Sequence, residues 1–197
     1  MNDTAIAHAS AVGALRAATA ERHELLDTGL PLAGPAPTLD DYRGHLRMLR
    51  TWLGPIEDWL ASGPGPRDAL APLRRLPLID ADLDDRSILP RRDDFPRRPQ
   101  AVPNRQSAWP SDASAAYRWG VAYVAEGSQL GGAVLYQRLA SQLAPHPLAY
   151  LRGDAAGPGP RWRSFMLALN ENVRSEEEVA DACAGACDAF DRILALR

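Results

Sequence analysis

Residues 117–140, YRWGVAYVAEGSQLGGAVLYQRLA, set the tightest limit on what this chain can build. Apolar side chains recur at helical intervals through Val121, Val124, Leu130, Val134 and Leu135, and no proline interrupts them. The pattern predicts one long helix. Four glycines nevertheless fall inside it, Gly120, Gly127, Gly131 and Gly132. Each costs a helix roughly 1 kcal/mol against alanine, so the segment gives up about 3–4 kcal/mol of propensity. Gly127 and Gly131 are four apart and share a face. Two readings of that face compete. Small residues let a second helix approach closely, or a flat ligand lies against bare backbone with the Ser128 hydroxyl beside it. Periodicity does not choose between them.

The rest of the chain also reads as helices. In the first, with Asp3 or Thr4 as the expected cap, Val12, Leu15, Ala18, Thr19, His23 and Leu26 share one face. His23 is therefore expected to face inward with the apolar set, while Glu21 and Glu24 face elsewhere. Residues 29–38 are a proline- and glycine-rich loop. Thr38 or Asp40 caps a helix to about residue 61, whose stripe is Tyr42, Leu46, Leu49, Leu53, Ile56 and Leu60. Pro55 is expected to kink it. A third helix is expected from Arg67, with Arg74 and Arg75 on its solvated side and Pro77 bending or ending it, and a second half continuing through Leu83. From residue 88 to 111 periodicity fails in a run rich in proline and arginine, read as a long loop or insertion. Ser111 or Asp112 is the expected cap of the glycine-bearing helix, which should end near residue 143. A glycine- and proline-rich linker over 146–160 leads to a helix over 160–173. Ser175 with Glu178 makes a capping box for the last helix. No segment reads as a strand, and nothing divides residues 1–197 into two cores. The expectation is one all-α domain of seven or eight helices.

Composition excludes several functions. The net charge of −3 gives no reason to expect nucleic acid. All 22 basic residues are arginine, so any cationic anchor is arginine or histidine. Cys183 and Cys187 lack a histidine that would complete a metal set. No signal peptide or membrane span is read, which makes a reducing cytoplasm the expected location. There is no E-x-x-H pair for a di-iron site, no G-x-S-x-G elbow and no G-x-G-x-x-G loop. A histidine on one helix and a glycine face on another remain. Heme held between two helices needs an axial nitrogen and a bare backbone.

The wording of both helices carries a resemblance. Leu15, Arg16, Thr19 and His23 give L-[KR]-x-x-T-x-x-x-H, and residues 123–132 give Y-V-x-E-G-S-x-L-G-G. Together they resemble the proximal and distal helices of bacterial heme oxygenases, the biliverdin-forming enzymes. The resemblance implies an all-α fold with heme between a proximal and a kinked distal helix. His23 would be the iron ligand, and Arg16, Thr19, Tyr123, Gly127, Ser128, Gly131 and Gly132 would line the heme. Gly127, Ser128 and Gly131 would act on bound dioxygen, with a water-holding pocket at Ser128 supplying protons. Arg16 lies seven positions before His23, nearly two turns and about 10 Å along one side, within reach of a heme propionate. Tyr123 would complete that clamp. Heme would be both cofactor and substrate, giving biliverdin, carbon monoxide and ferrous iron. Electrons would come from a ferredoxin or reductase, and a bacteriophytochrome is one acceptor of the product. Ser128 stands where animal and cyanobacterial members carry an aspartate, and the segment before Ser111 is longer than the family needs. The rival reading is a non-enzymatic helical heme- or bilin-binding protein.

Overall fold

In a computed structural model the described residues, 10–72, 74–85 and 108–197, form eight α-helices and a 3-10 turn, with no strand among them. Helix α1 (Ala11–Gly29) is capped by Ser10, whose hydroxyl accepts from the Gly13 amide at 3.2 Å. The expected caps Asp3 and Thr4, and residues 88–107 of the expected insertion, lie outside the described residues. A 3-10 turn (Pro31–Ala33) leads to α2 (Leu39–Ser62). There Thr38 and Asp41 exchange side-chain and backbone bonds in a capping box.

The expected third helix falls into two parts, with the break before Leu76 rather than at Pro77. A single turn, α3 (Pro66–Ala69), is followed by extended chain and then α4 (Leu76–Asp84). Pro77 sits in the first turn of α4, where its missing N–H costs nothing, so it begins a helix rather than ending one. Arg75 is also not solvated: it is 4% exposed, and its amide donates to Glu57 Oε1 at 2.8 Å.

Helix α5 (Ala115–Leu139) carries the four glycines. Its cap is Ser114, accepting from the Tyr117 amide at 3.0 Å, not Ser111 or Asp112. A short helix unforeseen in the linker, α6 (Ala149–Arg152), precedes α7 (Gly159–Asn172) and α8 (Glu176–Leu194). The α8 capping box of Ser175 and Glu178 is as the sequence predicts.

The core is organised on α8. Helices α5 and α1 both pack along it, and Trp52 of α2 donates to the Ala189 carbonyl at 3.0 Å. The α5–α8 crossing is a backbone contact. A Cβ on Gly120 would fall 1.8 Å from the Ala182 carbonyl oxygen, and one on Gly185 2.1 Å from the Tyr117 carbonyl oxygen. Close packing through small residues is therefore correct for Gly120. Gly120→Ala gains helix propensity yet must push the two helices apart, and overpacking costs typically about 1–3 kcal/mol or more. We expect a net loss of stability in urea unfolding; an unchanged midpoint would mean the crossing relaxes freely.

Candidate functional site

Helices α1 and α5 both pack on α8 and approach each other at two levels. The Arg16 side chain lies near the Tyr123 phenol, on which its charge acts. Farther along, the Arg138 guanidinium donates to the carbonyls of Leu32 and Ala33, just beyond α1. Between these ties a slot is left. On its α1 side is His23, whose side chain is 64% exposed, with Nδ1 3.0 Å from Asp27 Oδ2. The ring rests at 5.8 Å from that of Phe190 on α8. On the α5 side are Gly131, where an added methyl would meet nothing, and exposed Val134. Gly127 lies one turn earlier, with the edge of the Trp162 indole 3.6 Å from where its Cβ would be. Tyr123 and Trp162 pack as tilted rings 5.5 Å apart. Burial raises the Tyr123 phenol pKa, and the nearby Arg16 opposes that rise.

Behind this face, Ser128 donates to the Ala125 carbonyl at 2.8 Å. The neighbouring Gln129 amide donates to the Tyr150 hydroxyl at 3.0 Å and lies 3.4 Å from Ser128 Oγ. Burial raises the Tyr150 phenol pKa, against the charge of Arg75 and the bond from Gln129, so it stays protonated.

Glu126 sits on another side of α5, 13% exposed, between two guanidinium groups. Arg161 binds it through both oxygens, at 2.9 and 2.8 Å, and Arg75 adds a bond at 2.8 Å. Burial alone would raise its pKa; the Arg161 bonds and the two positive charges outweigh burial and hold it below the usual carboxylate range. A cavity of about 60 Å³ borders this cluster, between α2, α5 and α7, with Glu57, Arg75, Glu126 and Phe165 among its walls.

Comparison with known proteins identifies the family. The heme oxygenase family model matches residues 9–196. The chain belongs to the heme oxygenase family. It is 35% identical over 153 residues to a heme oxygenase of Xanthomonas campestris pv. campestris, covering 75% of this chain and 81% of that one. It is also 35% identical over 89 residues to heme oxygenase PigA of Pseudomonas aeruginosa, covering 44% of this chain and 45% of that one. A solved heme oxygenase of Neisseria meningitidis has the same fold, with a TM-score of 0.66 at 21% identity, covering 95% of this chain and 89% of that one. The chain is thus a heme oxygenase, an oxidoreductase with heme as its substrate. No helix among the described residues is long and apolar enough to cross a membrane.

Against this family pattern the expected residues divide. His23 stands exposed beside Asp27 and Phe190, Gly131 is open, Gly127 packs under Trp162, and Arg16 acts on the Tyr123 phenol. His23 does not face inward as the helical stripe suggests. Thr19, one turn earlier, is buried, but at His23 the covering surface has dwindled to the edge of Phe190. Leu25, two residues on, is likewise exposed. Thr19 spends its hydroxyl on the Leu15 carbonyl at 2.8 Å. Gly132 faces α6, its added Cβ meeting Leu151 at 3.8 Å. Sequence reasoning assigned no role to Gly185, Tyr150 or Asp82, and none to Glu126 although it lies in the quoted motif. A run of small residues, ACAGA at 182–186, was the available signal for Gly185.

Glu126→Gln tests the arginine clamp. It leaves Arg75 and Arg161 short of a counter-charge, and breaking a buried pair costs about 3–5 kcal/mol. Because the folded carboxylate titrates low, its contribution is complete above the unfolded value of about 4.3 and is lost as pH falls through the folded pKa. Denaturant unfolding should show a wide gap between wild type and variant at pH 7 that closes in acid. A gap independent of pH would remove the electrostatic account.

Proposed function

We propose that heme binds in the slot between α1 and α5 with His23 as the axial ligand of its iron, and that the chain cleaves it to biliverdin, carbon monoxide and ferrous iron. The observation carrying this is the His23–Asp27 pair. A ligating histidine commonly gives its second ring N–H to a carboxylate, which fixes the tautomer and raises ligand basicity. With Nδ1 on Asp27, Nε2 is the nitrogen presented for ligation. The opposing wall fits as well: at Gly131 nothing stands in the way of a flat group lying on backbone. Bound heme supplies iron and redox chemistry and is itself the molecule cleaved by dioxygen.

The residues of the chain orient and protect. Arg16, on Tyr123, would pair a propionate and fix rotation of the macrocycle in its plane. Gly127 and Gly131 would let the α5 backbone approach closely enough to direct dioxygen towards the porphyrin edge. Ser128 would hold the polar, water-bearing side of the pocket, in place of the aspartate of other members. With no dinucleotide or flavin motif in the sequence, electrons would come from an external ferredoxin or reductase, in the cytoplasm.

Incubation with hemin should give a Soret band, and ascorbate or ferredoxin in air should convert it to bilin absorption. A stable Soret band without bilin would favour the carrier reading. His23→Ala should lose the histidine-ligated ferric spectrum and most bilin formation, with partial recovery in added imidazole; unchanged ligation would refute the assignment. Gly131→Ala should fold with up to about 1 kcal/mol more stability, since its methyl meets no protein atom, yet lose turnover. Normal turnover in that variant would show that the open face is not the heme face.

A further inference from the structure

The cavity of about 60 Å³ between α2, α5 and α7 is larger than a single water needs. Four arginines, Arg67, Arg74, Arg75 and Arg161, share its lining with two carboxyl groups, Glu57 and Glu126. Two of these side chains are buried yet incomplete. Glu57 is 9% exposed; its Oε1 accepts from the Arg75 amide at 2.8 Å, but Oε2 has no partner in the protein. Arg75 is 4% exposed; a terminal nitrogen donates to Glu126 at 2.8 Å, but Nε has no acceptor. Buried polar atoms are normally paired, so one unpaired donor and one unpaired carboxyl oxygen on the same cavity call for a common partner.

Charge narrows what that partner is. The outer pairs are closed: Arg74 binds Asp58 at 2.9 Å, and Arg67 lies 3.6 Å from Asp68. Inside, Arg75 and Arg161 share one carboxylate, Glu126. Burial favours the protonated form of Glu57, against the Arg75 amide bond and the charges of Arg75 and Arg74, while Asp58 adds to the effect. The Tyr150 phenol, which feels a Glu57 charge, is itself neutral. Two cations then meet one anion, and a buried charge without a counter-charge is costly. We propose that the cavity binds a small monocarboxylate, whose oxygens accept from Arg75 Nε and the Glu57 carboxyl while its alkyl end lies against Leu53, Ile56 and Phe165. The ligand supplies the missing negative charge and links α2 to the arginine clamp on α5. An ionised Glu57 repels it, so where Glu57 starts ionised, binding takes one proton from solvent onto that carboxyl.

Acetate is the probe, titrated calorimetrically into the full chain without heme at constant ionic strength. The range is about pH 5.5 to 8.5, over which a simple carboxylate stays ionised. Wild type should bind acetate in preference to chloride, tightest in acid, with affinity falling by up to about tenfold per pH unit once Glu57 ionises. On that falling limb, buffers of different ionisation enthalpy should report proton uptake approaching one per acetate. Glu57→Gln keeps a neutral hydrogen-bond donor and removes the titration. It should bind at every pH about as tightly as wild type does in acid, with no proton uptake. Absence of acetate binding, wild-type affinity independent of pH, or an unchanged pH dependence in Glu57→Gln would each overturn the proposal. If Glu57→Gln fails to fold, proton uptake by wild type decides alone, and its absence would overturn the proposal. Heme takes no part in these measurements, so no outcome bears on the heme reading.

Discussion

Where α5 crosses α8, the main chains of Gly120 and Gly185 come so near the opposing carbonyls that no side chain fits at either position. This contact fixes how deeply α5 sits on α8, and α8 is also the surface on which α1 rests. The small buried residues Ala182, Ala186 and Ala189 continue that surface, and Trp52 anchors α2 to it. With both helices referred to one platform, their mutual spacing is no longer free. Arg16 of α1 then lies near Tyr123 of α5, and His23 stands exposed at the edge of the same platform, beside Phe190.

A chain without lysine asks arginine to do several kinds of work. Arg161 and Arg75 clamp Glu126 from two directions, which ties α7 and the stretch before α4 to α5 next to Gly127. Arg138 binds two carbonyls beyond α1. Arg118 and Arg192 sit over the rings of Trp59 and Trp109, Cζ at 4.0 and 3.9 Å from the centroids. A planar, delocalised cation serves bidentate pairing and stacking, which a compact ammonium does less well.

Glu126 and Asp82 illustrate different solutions to one problem. An ionised oxygen away from water needs either opposite charge or several donors. Glu126 has the charges, Asp82 the donors: two amides and a phenol. Each sits against the glycine-bearing helix or the helix next to it, so the polar interior braces the same wall that the slot requires to be firm.

Features that depend on neighbours within a turn or two were legible in the sequence. The capping boxes at Thr38 and Ser175, the stripe from Tyr42 to Ile56, the long glycine-bearing helix and the all-α character all rest on local hydrogen bonds and helical periodicity. The two motifs also named His23, Gly127 and Gly131, because their wording is local. What each residue faces was not legible. Gly120 and Gly131 look alike in sequence, yet one is pressed against a carbonyl and the other is open. Arg75 reads as solvated until Glu126, 51 residues away, takes its charge inward. His23 follows the buried stripe of α1, but α8 covers little of the helix at that point, and the ring is left exposed. Tyr150 gains its place only through Asp82, 68 residues earlier. Helical periodicity assigns a residue to a face; which partner covers that face, and which charge meets it there, is decided by tertiary packing between segments distant in the chain.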